Sequence, residues 1–171
     1  MIERHYLDDC VFQMRKVKTQ ADRALAQIDD RQFFAQIDPD SNSIALLVKH
    51  IAGNMRSRWT DFLTTDGEKP DRNRDGEFEQ EGRDSRAAIM SRWEDSWTLL
   101  FATFETLQPG DLGKTVTIRG EAHTVVQALS RAMSHYSSHV GQIVLLAKHF
   151  AGPRWETLSI PKRPRPDLTG E

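Results

Sequence analysis

Cysteine is nearly missing from this chain. Cys10 is the single one in 171 residues, so no internal disulfide can form and the stapled frameworks of small secreted domains are excluded. Long apolar runs are missing as well, since no window approaches the roughly 18 uninterrupted apolar residues of a membrane helix. The first ten residues place Glu3, Arg4, Asp8 and Asp9 where a signal peptide needs an apolar segment. The expectation is a cytoplasmic protein with no membrane partner. Nor is there an excess of charge, because 23 basic and 25 acidic side chains nearly cancel. That removes the broad positive field on which sequence-independent nucleic-acid binding depends. The basic run Lys162, Arg163 and Arg165 is too short to restore it, so no nucleic-acid partner is expected. Three chemical signatures are also lacking: a glycine-rich phosphate loop, a Gly-x-Ser-x-Gly elbow and a Cys-x-x-Cys pair. Kinase, serine-hydrolase and thiol-redox readings fall with them.

What the chain does have is helical periodicity. Leu7, Val11, Met14, Val17, Ala21, Leu25 and Ile28 recur at three- or four-residue steps, which predicts a first helix over 3–28 with Cys10 as a small buried hydrophobe. After Asp38-Pro39-Asp40, the caps Ser41, Asn42 and Ser43 open a second helix that carries Ile44, Leu47, Val48, Ile51, Met55, Trp59 and Phe62 and ends near Thr64. Residues 66–84 are polar apart from Phe78 and read as a long connection. Ser85 caps a third helix running to Leu107, with Trp93 and Trp97 as core residues alongside Trp59. A short β-hairpin is expected between Gly113 and Thr124, and a last helix over 124–151 that Gly152 and Pro153 terminate. The expected architecture is all-α: one four-helix bundle domain over 1–160, with a Pro- and Arg-containing tail over 161–171.

Six histidines are present. His135 and His139 stand four apart on the last helix, where Cβ atoms lie about 5–6 Å from each other and two imidazoles can converge on one ion. His50, midway along the second helix, is the candidate third ligand. Helical stepping puts it on the shoulder of the apolar arc beside Leu46, facing either a side cavity or water. His5, His123 and His149 read as structural. Tyr136 occupies the position where a His-Glu-x-x-His protease needs its glutamate, and Ala132 the position where a di-iron bundle needs its acid. Asn54 and Gln142, one turn from His50 and three residues from His139, are candidates to orient a ligand or touch substrate.

The chain resembles the DinB/YfiT superfamily of metal-binding four-helix bundles, and within it one bacterial branch without a settled reaction. The resemblance rests on residues 49–63, around His50, Asn54 and Trp59; on 73–79, from Asn73 to Glu79; on 135–143, with His135, His139 and Gln142; and on 155–161, from Trp155 to Pro161. It implies an up-down-down-up course with 66–84 as the crossover, and a divalent metal ion (Zn, Ni, Fe or Cu) on His50, His135 and His139. Three imidazoles leave positions open, as catalytic sites do. The characterised relatives it points to are thiol-dependent transferases or isomerases that use low-molecular-weight thiols. Together with the histidine spacing it leads to the expectation of a metal-dependent transferase or hydrolase acting on a small molecule, with a low-molecular-weight thiol as the candidate substrate. The competing expectation is a non-catalytic metal-binding or stress-response helical module that acts through homodimerisation or small-ligand binding.

Overall fold

A computed structural model describes residues 1–82 and 84–161. The tail expected from residue 161, basic run included, lies outside the described residues beyond Pro161. Among the described residues the chain is mostly helical. It has five α-helices: α1 (Ile2–Leu25), α2 (Asp30–Phe34), α3 (Ile44–Trp59), α4 (Arg86–Thr106) and α5 (Val125–Ala151). A two-stranded hairpin, β1 (Thr115–Ile118) and β2 (Glu121–Thr124), precedes α5. Among the described residues, no helix is long and apolar enough to cross a membrane.

Local chemistry sets the boundaries. The Ser43 and Ser85 hydroxyls accept the amides of Leu46 (3.3 Å) and Ala88 (3.2 Å) at the starts of α3 and α4. Thr124 and Gln127 cap α5 reciprocally, and Gly152 ends it with φ 56°. Two expectations need correction. The second long helix stops at Trp59, not near Thr64, because Asp61 turns the chain with φ 48°. The first stops at Leu25, three residues short of Ile28. The short α2, which periodicity passes over, is held by a capping box between Asp29 and Gln32 and by buried Phe33.

The core fills the space among four long helices: α3 packs on α4 and α5, and α1 on α4 and α5. Trp59, Trp93 and Trp97 lie inside it, as does Cys10. The ends of α3 and α4 lie together, with Trp59 against Phe104 (4.8 Å between centroids) and the Thr103 hydroxyl donating to the Trp59 carbonyl. On α1, Tyr6 meets Ser130 near the start of α5, while Arg15 and Lys18 pair with Glu105 and Glu94 of α4.

The polar stretch 66–84 is a built element, not a slack connection. It crosses the outer side of α3, where the 3-10 turn Asp75–Phe78 packs. Lys49 of α3 donates to Asp84 (2.7 Å) and to the Glu79 carbonyl (2.7 Å), pinning the far end. At the near end Asp66 accepts the amides of Glu68, Arg119 and Gly120, tying the crossover to the two-residue hairpin turn. Arg119 and Gly120 both adopt positive φ there, the conformation such a turn requires. Between α4, α5 and the crossover, every residue of α3 except Gly53 and Arg56 is buried.

Candidate metal centre

His50, His135 and His139 come together between α3 and α5. Each offers a ring nitrogen, and these nitrogens all lie within 4.8 Å of one another. His135 Nε2 sits 3.2 Å from His50 Nε2 and 3.1 Å from His139 Nε2. Nitrogens bound tetrahedrally at about 2.0–2.1 Å would be spaced by about 3.3–3.4 Å, so both pairs through His135 are near ligand spacing. His5 and His149 are exposed, and His123 bonds the Glu121 carbonyl. None of these three joins the cluster.

The outer faces of two rings fix which nitrogen points inward. His50 Nδ1 lies 2.9 Å from Glu77 Oε2, and His139 Nδ1 lies 3.0 Å from Gln142 Oε1. Both oxygens are acceptors, so each Nδ1 carries the proton and each Nε2 turns a lone pair toward the centre. A carboxylate behind a ligating imidazole is the usual way proteins orient such a ring and raise its basicity. Burial pushes the Glu77 carboxyl up, but hydrogen bonds from His50 and Arg72 outweigh it and hold the group below its ordinary range, ionised. Arg72 grips Glu77 by both oxygens, 2.8 Å each, and reaches Glu68 at 2.9 Å. The resulting relay, Glu68 to Arg72 to Glu77 to His50, is supplied by the crossover.

Electrostatics keep His135 and His139 neutral. Burial foremost, then the neighbouring His139 and His50, lower His135 to about 3. Burial also lowers His139, against the hydrogen bond that it donates to Gln142. Neutral imidazoles are the form that binds a metal.

The three donors therefore fit a divalent ion by their number, their type and their placement around one centre. His50, placed by helical phase on a shoulder between cavity and water, is only 4% exposed. The crossover covers that shoulder, and Phe78 lies against the ring with centroids 4.6 Å apart. Gln142 stands behind His139. Asn54 does not touch a histidine ring: its Oδ1 accepts from the Tyr136 hydroxyl (2.9 Å), which accepts from Trp59 Nε1 (3.1 Å).

A cavity of about 470 Å³ opens over the cluster. Besides the three histidines it is lined by Asn54, Tyr136 and Phe78, and by Arg58, Arg74, Arg119 and Arg131. A second cavity, about 410 Å³, lies on the other side of Glu77 and contains none of the three histidines. Sequence reasoning missed Glu77 and the arginines. Arg58 follows His50 by eight residues and Arg131 precedes His135 by four, so helical spacing could have found them. Glu77 had no such spacing signal, because it lies in a short 3-10 turn 27 residues from its partner.

A family model described as a protein of unknown function, DUF1572, matches residues 1–164. No curated protein and no solved structure matches the chain.

Proposed function

The chain belongs to the DUF1572 family, and from that premise we propose that it is a metal-dependent enzyme, a transferase or hydrolase acting on a small molecule, with one divalent ion on His50, His135 and His139. The observation that carries this reading is the convergence of the three Nε2 atoms, two of them presented by rings whose Nδ1–H is held by Glu77 and Gln142. The contacts among α1, α3, α4 and α5 support a four-helix bundle of up-down-down-up course, as in the DinB/YfiT resemblance.

A divalent ion bound there would act as a Lewis acid and lower the pKa of a coordinated water or thiol. The chain's own residues do the rest. Glu77 holds His50 in one tautomer, and Arg72 holds Glu77 ionised. Phe78 closes one side of the His50 ring against water. Asn54 accepts from Tyr136, which accepts from Trp59, and this chain of hydrogen bonds braces the cavity wall. Three protein ligands with no protein carboxylate among them leave room for a substrate or water, the arrangement of catalytic rather than closed structural sites.

Turnover tests the reading. Protein loaded in turn with Zn, Ni and Fe is screened against thiol-plus-electrophile pairs and against simple esters. The expected result is metal-dependent turnover that His135→Ala abolishes; no turnover with any metal contradicts an enzymatic role.

A further inference from the structure

Two ladders of side chains face each other across the larger cavity. On α3, His50, Asn54 and Arg58 follow at steps of four; on α5, His139, His135 and Arg131 do the same in the reverse chain direction. Residues four apart share a helix face, so both helices run from a histidine to an arginine along one wall. The cavity has a histidine end and an arginine end. At about 1.5 Å per residue, Arg131 lies about 6 Å along α5 from His135, and Arg58 about 12 Å along α3 from His50.

At the arginine end, Arg58 and Arg131 have no carboxylate partner among the described residues. Arg58 is 5% exposed. Among the described residues its guanidinium has one hydrogen bond, from Nε to the Gly67 carbonyl (3.3 Å), and no ion pair with a carboxylate. Burial foremost works against its charge, and Arg131 adds a second positive charge nearby, while Tyr136 and the more distant Glu68 offset part of this. Arg131 is exposed and, among the described residues, has no ion pair. Arg74 and Arg119 widen the positive rim, each shared with an acid at 3.4 Å, Asp75 and Glu68 respectively. No aspartate or glutamate among the described residues lines the cavity. Four guanidiniums line a wall that holds no acid, and Arg58 and Arg131 have no carboxylate partner among the described residues; clefts of this kind concentrate anions.

We infer that the molecule taken by this site is a small oxyanion, a compound bearing a carboxylate or phosphate whose charged end is held by Arg58 and Arg131 while its other end faces the three histidines. This rests on the metal-site reading for the histidine end only. The arginine end stands on its own.

The test titrates full-length, metal-loaded protein calorimetrically with inorganic phosphate and, separately, with malonate, in buffer free of other oxyanions. Metal content is measured on every sample. The expected result is one site per chain for at least one probe, weakened about tenfold or more in Arg58→Gln and in Arg131→Ala at unchanged metal content, the weight of a hydrogen bond to a charged group. Preference between the probes separates phosphate esters from carboxylic acids. Arg131→Ala decides the matter if Arg58→Gln does not fold, because residue 131 is exposed and makes no ion pair among the described residues. Absence of binding by either anion to protein that carries its metal, or binding unchanged in both variants, overturns the inference and leaves the metal reading intact. If the protein holds no metal, that reading fails, and the same titration on metal-free protein decides the inference by the same arginine criterion.

Discussion

At the scale of single residues, the weight of the site falls on Glu77 and the glycine beneath it. Glu77→Gln keeps the shape but removes the charge that Arg72 and His50 share. Metal affinity should drop about 10–100-fold, the usual effect of losing a group behind a ligand, as read by competition with a chromophoric chelator. An unchanged affinity would show that His50 orients without it. Gly53 lies on α3 where an added Cβ would overlap the Glu77 carboxylate. Alanine in mid-helix normally stabilises by roughly 0.5–1 kcal/mol relative to glycine. Gly53→Ala should do the opposite, costing about 1–3 kcal/mol as overpacking does and weakening metal binding with it. Gly141→Ala on α5, where a Cβ meets nothing within 4 Å, is the matched control and should raise the urea midpoint. The histidine pair was legible from its spacing because i and i+4 share a face in any helix. The burial of His50 was not, since helical phase describes one helix alone and the crossover that covers it is placed by long-range ion pairs.

Among the elements, the crossover is the one whose character the sequence hid. A polar segment with one aromatic reads as a slack connection, yet its charges are spent inward: Asp66 on the hairpin turn, Arg72 on Glu68 and Glu77, and Asp84 on Lys49. The helix caps at Ser43, Ser85 and Thr124 were legible because capping is local chemistry within four residues. Pairing of Lys49 with a residue 35 positions away is not local. Their side chains are 7% and 2% exposed, so Asp84→Asn leaves a covered ammonium without its counter-ion and should cost about 3 kcal/mol. Burial raises the Asp84 carboxyl, but the Lys49 and Glu81 hydrogen bonds outweigh it and the group stays below its ordinary value. A carboxyl depressed in the folded state contributes stability that is present above its unfolded value near 3.8 and is lost as pH falls through the lower folded value. Denaturation midpoints followed downward from about pH 4.5 should therefore fall more steeply in the wild type than in Asp84→Asn. Parallel slopes would mean that the pair does not anchor the crossover.

For the whole molecule, a site formed by α3, α5 and the crossover exists only when all three are in place. Metal binding is then linked to folding, and free metal at about 100 times its dissociation constant should stabilise by about 2.7 kcal/mol. In a chain of this size that raises Tm by about 5–10 °C, a shift that chelation should reverse and the triple variant His50→Ala/His135→Ala/His139→Ala should lack. Ligation itself is the most direct test of the central claim. Carefully purified wild-type protein and the triple variant are assayed for bound metal, and X-ray absorption at the edge of the metal found gives the ligand shell. The account predicts one divalent ion per chain in the wild type, three imidazole nitrogens at about 2.0–2.1 Å, and only trace metal in the variant. Equal trace content in both proteins would contradict it.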